Sequence, residues 1–400
     1  MICQKFILLL LSILLCINVP ACASDKPNTD NINHSSQQDP EDQNPGENQN
    51  PGENQNPGGE QNPGGEQNPG ENQNPGGEQN PGGEQNPSGE QTPGGEQNPG
   101  GEQTPGGEQN PGGEQNPEEK TEPGVFNLEK GTVMLNSGYE MPVLGIGCYL
   151  LSNSQAENSV YWALRDGYRL IDTARIYGNE EGVGKGIKKA IDEGIVKREE
   201  IFVTTKMWTS DFSNGDAAIE TSLKRLNLDY IDLMILHHSQ PSNDVQAYQA
   251  MERAVQKGTL KSIGLSNYYE PEDFDRLVKA TTIRPSILQN ETHPYHQSTV
   301  MKNHIAQYHT VLESWFPLGG RGNTQTLFND TTISSIAKAH NKTSAQIILR
   351  WHLQAGNIAI PGSSNESHIK ENSEIFDFEL TAEEMQKLTS IDKNQRFADY

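Results

Sequence analysis

Cysteine is almost missing from this 400-residue chain. Only four are present, and Cys3, Cys16 and Cys22 all fall within the first 24 residues. Cys148 therefore stands alone in the remainder, which excludes a disulfide framework within one chain. Cationic excess is missing too: 30 Lys and Arg face 54 Asp and Glu, for a formal net charge of −24. Without a basic patch, nucleic acid is not an expected partner. No apolar run is long enough for an ordinary membrane span; the longest, residues 6–19, lies beside the start. From residue 44 to 115 apolar side chains vanish altogether, so that stretch cannot build a packed core.

What fills that stretch is a hexapeptide, variants of Asn-Pro-Gly-Gly-Glu-Gln, repeated twelve times. Stacked solenoid repeats need an apolar face to bury, and none exists. Glycine does not recur at every third residue, so collagen is excluded as well. Residues 25–124 read as a self-repelling, expanded tether with an r.m.s. span of roughly 50–60 Å. Between them these residues carry twenty acids and two lysines, which leaves about −7 for residues 125–400. The acidity of the chain is mostly the tether's.

Ahead of the tether, residues 1–24 resemble a signal peptide, with Lys5 as a minimal basic start and an apolar core behind it. Val19-Pro20-Ala21-Cys22 is similar to a bacterial lipobox, which would leave Cys22 as a lipidated first residue. Ala21-Cys22-Ala23 also fits cleavage after Ala23, and an uncleaved anchor is the third alternative. A hydrophilic spacer makes most sense behind an anchor, so a cell-envelope lipoprotein is the expectation. Periplasmic or secreted release is the fallback.

Residues 125–400 suit one domain. Short β-branched runs at 143–147, 170–173, 201–205, 233–236, 262–265, 287–289, 310–314 and 358–360 alternate with amphipathic stretches. The stretches at 156–166, 217–226, 246–257, 271–279, 344–354 and 368–375 predict helices. Eight strands joined by helical crossovers spell an α/β fold, a parallel (β/α)8 TIM barrel. Residues 133–141 predict a hairpin at its bottom, and 381–391 an extra helix at its end. The run Glu181-Gly182-Val183-Gly184-Lys185-Gly186 is similar to a phosphate loop, but it follows no strand directly and lacks the P-loop spacing. Close helix packing is the better account.

Chemistry gathers where these strands end. Asp172 closes one, Tyr177 follows in its loop, Lys206 closes the next and His237 the third. Parallel neighbours would converge these groups at the C-terminal rim, where such barrels keep their active sites. The surrounding motifs, Ile-Asp-Thr-Ala…Tyr-Gly-Asn-Glu at 171–180, Thr-Thr-Lys-Met-Trp at 204–208, Asp-Leu…Leu-His at 232–237, Gly-Leu-Ser-Asn at 264–267, Gln…Glu…His-Pro at 289–294 and Ile-Pro-Gly-Ser…Glu-Asn at 360–372, stand in order. Six such motifs resemble the aldo-keto reductase family over roughly residues 125–400.

The resemblance implies an NAD(P)H-dependent oxidoreductase that interconverts carbonyls and alcohols, with Tyr177 as proton donor. A phenol is a sluggish acid near neutrality, so Lys206 is expected to pull its pKa down while Asp172 holds Lys206. His237 would orient the carbonyl. Ser266, Asn267 and Gln289 would hold the nicotinamide carboxamide, and Trp315 would stack on its ring. Gly147, Leu318, Ser363, Ser364, Asn365, His368, Glu371 and Asn372 would line the rest, with Tyr149 and Trp208 walling the substrate pocket. No metal is expected. Gly362 and His368 stand where the family has cations for the 2′-phosphate, so NADPH is preferred with NADH as the alternative. His238-Ser239 replaces a family Trp-Pro; the next residue along a strand points to the opposite face, so His238 is not expected as an alternative proton donor. A small-molecule carbonyl or alcohol partner, a membrane contact through the lipid and a monomer complete the expectation. The rival reading is a tethered barrel that binds cofactor as a scaffold without turnover.

Overall fold

The computed structural model describes residues 122–398. The signal peptide, the lipobox at Cys22 and nearly all of the tether lie outside the described residues.

The chain opens with three short antiparallel strands, β1 (Phe126–Asn127), β2 (Thr132–Met134) and β3 (Glu140–Pro142). Their turn carries Asn136, whose Nδ2 donates to the carbonyls of Pro285 and Tyr308 at 2.9 and 3.2 Å. Its Oδ1 accepts from Ser286 Oγ at 2.6 Å. These partners sit just ahead of two barrel strands, so the hairpin is stitched across the floor. Val133, Leu135 and Met141 are buried against it.

The barrel follows as β4 (Gly145–Gly147), α1 (Asn153–Arg165), β5 (Leu170–Asp172), α2 (Glu180–Asp192), β6 (Phe202–Met207), α3 (Gly215–Leu226), β7 (Ile231–Leu236), α4 (Asp244–Lys257), β8 (Leu260–Ser266), α5 (Pro271–Ala280), β9 (Ile287–Glu291), α6 (Thr299–Ala306), β10 (Val311–Trp315), α7 (Thr324–Phe328), α8 (Thr331–His340), α9 (Ser344–Gln354), β11 (Asn357–Ala359) and α10 (Glu366–Ser373), with α11 (Ala382–Ser390) outside the repeat. Strands β4 to β11 pair in sequence order, all parallel. Bridges Leu144–Ala359 and Gly147–Gly362 bring the first and last strands together. At that seam Gly147 N donates to Pro361 O at 3.1 Å. A Cβ on Gly147 would lie 2.7 Å from Ile360 O, and one on Gly362 2.9 Å from Gly147 O. Closure here needs backbone without side chains.

All eight expected strands form. The glycines of α2 pack helices: a Cβ on Gly182 would meet Asn153 O of α1 at 2.1 Å, and one on Gly184 would meet Leu226 O of α3 at 2.3 Å. Three helices appear that periodicity did not indicate, α6, α7 and α8. Only Met301 and Ile305 of α6 are buried, too thin a stripe to read. Helix α8 opens Thr-Thr-Ile, poor helix formers, and is secured by its cap, where the Asp330 carboxylate accepts from Thr332 N and Ile333 N.

Candidate active site

Four side chains from three strand ends assemble one cluster. Lys206, the fifth residue of β6, has a side chain of 0 % exposure, and Asp172 at the end of β5 has 3 %. Lys206 Nζ donates to Asp172 Oδ1 at 2.6 Å and to the Thr173 carbonyl at 2.9 Å. Its third short contact is the Tyr177 hydroxyl at 3.2 Å. Tyr177 sits in a short 3-10 turn after β5. That turn ends at Gly178 in the left-handed region, and Asn179 then pins the rim. The Asn179 side chain donates to the carbonyls of Cys148 and Leu151 and accepts from Thr173 Oγ1 at 2.7 Å. Glu180, also buried, accepts from Thr205 Oγ1 at 2.7 Å. The Asn-Glu of the first motif is therefore scaffolding that ties the Tyr177 loop to β4 and β6.

His237 stands just past β7 and is buried, with its ring 5.6 Å from that of Tyr177. Its Nδ1 is buried without a hydrogen-bond partner among the described residues. Trp208 packs edge-on against both His237 and His238, each at 5.1 Å. The two imidazoles stack at 5.2 Å with 14° between planes. His238 thus lies beside His237 and does not point away. The reason is that β7 ends at Leu236, so the two-residue alternation of a strand no longer governs 237 and 238.

Electrostatics in this cluster follow burial. Burial works against the Lys206 charge, but Asp172 and Tyr177 outweigh it and the ammonium ends above its ordinary value. Burial also raises the Tyr177 phenol; Lys206 pulls it back only in part, so the net shift is upward. This corrects the expectation of a depressed phenol. The physical reason is that Asp172 already neutralises Lys206, while the cost of burying phenolate remains. His237 is pushed down to about 2 by burial, helped by Lys206 and His238. It is a neutral imidazole at any ordinary pH. The site thus offers a protonated phenol beside a held ammonium and a neutral imidazole.

The expected cofactor residues fall into two groups. Ser266 ends β8, and its Oγ is buried without a hydrogen-bond partner among the described residues. Asn267 has φ +59° and uses its amide within the protein: Nδ2 donates to His237 O at 2.9 Å, and Oδ1 accepts from Tyr269 and Trp315. Gln289 Nε2 donates to Asp172 Oδ2 at 2.9 Å and to Glu313 Oε2 at 2.8 Å. Trp315 and Leu318 lie half-buried at the end of β10 and just beyond. These residues share the rim with the cluster, and the orphaned Ser266 hydroxyl suits a planar amide laid against it.

The second group belongs to the loop after β11 and to α10. Ser363 Oγ accepts from Asn365 N at 3.0 Å, and Asn365 caps α10 by accepting from Ser367 N and His368 N. Ser364 and His368 are exposed. Glu371 accepts from Thr343 Oγ1 at 2.8 Å, while Asn372 is buried. Gly147 stands at the barrel seam opposite Gly362.

Tyr149 is exposed at the mouth, 5.0 Å from Tyr177 and 5.9 Å from Phe316 between ring centroids. Phe316 and Leu150, both bulky, hold φ of +51° and +62°. Such conformations cost free energy and collect at functional sites. Phe316, Leu150 and the buried Glu313 were not singled out from sequence; positive φ in bulky residues leaves no sequence signature. An acid within the apolar run 310–314 was a signal that could have been used.

A barrel whose rim gathers Asp172, Tyr177, Lys206 and His237 defines a class, and the comparisons agree with it. Residues 131–393 match the model of the aldo/keto reductase family, and the chain belongs to that family. It is 42% identical over 268 residues to a methylglyoxal reductase of Yersinia pestis, covering 66% of this chain and 94% of that one. Against a glyoxal reductase of Bacillus subtilis the identity is 41% over 270 residues, 67% and 95% of the two chains. The crystal structure of a Bombyx mori aldo-keto reductase in complex with NADP superposes with TM-score 0.63 at 35% identity, over 67% of this chain and 94% of that one. The protein is an NAD(P)H-dependent oxidoreductase acting on carbonyls.

Proposed function

We propose that Tyr177 donates the proton in reduction of small dicarbonyls and related aldehydes, with NADPH preferred over NADH. The carrying observation is the chain of contacts from Asp172 through Lys206 to the Tyr177 hydroxyl. When bound, the nicotinamide supplies hydride to the carbonyl carbon. Tyr177, kept protonated by burial, delivers its proton to the developing alkoxide, and the Lys206 charge eases the phenolate left behind. Neutral His237 hydrogen-bonds the substrate oxygen and orients it. Ser266 offers the free hydroxyl to the carboxamide, framed by Asn267 and Gln289; Trp315 provides the ring face. Gly147, Leu318, Ser363, Ser364, Asn365, His368, Glu371 and Asn372 line the remainder, and Tyr149 and Trp208 wall the substrate side.

The likeness to methylglyoxal and glyoxal reductases supports the small-carbonyl assignment, as the NADP complex of the Bombyx mori relative supports the phosphorylated cofactor. Titration of tryptophan fluorescence with NADPH and then NADH, followed by turnover of methylglyoxal, tests both. Equal affinity for the two would sink the NADPH preference, and binding without turnover would restore the scaffold reading. We further infer an envelope lipoprotein anchored at Cys22; labelled fatty acid carried by the chain and lost in Cys22→Ala is the expected result.

A further inference from the structure

A second acid is buried in the barrel interior. Glu313 on β10 is 0 % exposed, and its register partner on β9 is Gln289. Gln289 Nε2 donates to Glu313 Oε2 at 2.8 Å and, across the interior, to Asp172 Oδ2 at 2.9 Å. Glu313 Oε1 is buried without a hydrogen-bond partner among the described residues. One amide therefore commits its two N–H bonds to two carboxyls, and one of those carboxyls holds Lys206.

We propose that Glu313 is a positioning residue of the reduction, acting through the Gln289 amide to fix Asp172 against Lys206 and thereby Lys206 against Tyr177. The proposal rests on the reading of Tyr177 as proton donor. An amide aimed at two acceptors has one orientation. Without the Glu313 acceptor it can turn, and Asp172 loses the donor that fixes its second oxygen. The contact from Lys206 to Tyr177, at 3.2 Å, is the longest of the three Lys206 makes and the first to suffer.

Charge adds a second effect. The titratable groups around the bridge are Asp172 from β5, Tyr177 from the turn after β5, Lys206 from β6 and Cys148 past β4. His352 of α9 stands on the outer side of β10, against Ser314. Burial first, and then the Asp172 charge, push the Glu313 carboxyl up to about 8. Near neutrality it is an uncharged acid. Above that pH it places another negative charge in the interior, which disfavours phenolate and makes Tyr177 a poorer proton donor. Reduction should slow as the pH rises through about 8.

Two variants of the full chain test this. Glu313→Gln keeps the size and the acceptor but cannot ionise, whereas Glu313→Leu removes the acceptor. The first readout is infrared: the carboxylate band that Asp172→Asn deletes should shift in Glu313→Leu and stay in place in Glu313→Gln. The second is kinetic. In Glu313→Leu kcat should fall about tenfold with KM within about twofold, as expected for a misplaced reacting group. Glu313→Gln should keep the neutral rate and lose the decline above pH 8. An unshifted band together with a wild-type rate in Glu313→Leu overturns the proposal, as does a wild-type alkaline decline in Glu313→Gln. If Glu313→Leu does not fold, the Glu313→Gln profile decides. Failure of the unaltered chain to reduce any carbonyl would instead overturn the functional reading, with the infrared arm still deciding whether Glu313 fixes Asp172.

Discussion

Lys206 has three acceptors around one ammonium, and each is a different kind of oxygen: carboxylate, main-chain carbonyl and phenol. The carboxylate and the carbonyl suffice to hold it in place, which leaves the phenol free to exchange a proton without releasing the lysine. In Tyr177→Phe, Lys206 should therefore keep its position. Stability measured by urea unfolding should stay within about 1 kcal/mol of the parent, the worth of one such hydrogen bond. Reduction should fall by about 10²–10⁴, the usual worth of a positioned acid. Cofactor quenching should be nearly unchanged. A variant that still turns over at the parent rate would place the proton donor elsewhere. At this scale sequence conveyed which residues meet, because each sits at a strand end in a recognisable motif. It did not convey the direction of the phenol's shift, which depends on burial that no motif records. Nor did it convey the neighbour of His238, since one residue's difference in where β7 ends reverses the face.

Helices α1, α2 and α3 approach so closely that α2 has glycine wherever a neighbour's backbone crosses it. Gly184→Ala would put a methyl 2.3 Å from Leu226 O, a main-chain atom that cannot rotate away. The expected cost is about 1–3 kcal/mol, typical of overpacking, read as a lowered urea midpoint with the slope unchanged. Gly194→Ala is a useful contrast. That position meets nothing within 4 Å and suffers only from its φ of +72°. No loss in Gly184→Ala would show that helix contact does not explain that glycine, whose φ is not in the left-handed region. Elements of this kind were readable where burial is continuous, as in α9, expected and found at 344–354 with every residue from 345 to 353 buried. Helices α6 and α8 escaped notice because they expose most of their surface; α8 is held by its Asp330 cap, and α6 has no side-chain cap.

For the whole molecule, buried titratable groups set a pH optimum of stability. His237 and His352 are pushed down to about 2 and about 3 by burial, so the folded chain excludes protons that the unfolded chain takes up below its ordinary histidine pKa. Their contribution is complete above about pH 6.5 and is lost as the pH falls. Glu313, pushed up to about 8, acts the other way: its contribution is complete below the ordinary carboxyl range and is lost as the pH rises through 8. Around pH 5 the two histidines outweigh the one acid by about one proton, worth ~1.4 kcal/mol per pH unit. Stability from urea unfolding should peak near pH 6–7 on these three groups, falling to either side. Glu313→Gln should flatten the alkaline side alone. A flat profile from pH 5 to 8 would contradict the burial of all three.

The hairpin across the floor has a mechanical consequence. A load applied at residue 122 enters through β1 and β2, whose anchorage is Asn136 on Pro285, Tyr308 and Ser286. Those attachments lie at the opposite end of the strands from Tyr177 and Lys206. Tension would be absorbed by peeling the hairpin from the floor, and the rim would keep its geometry until the floor gave way.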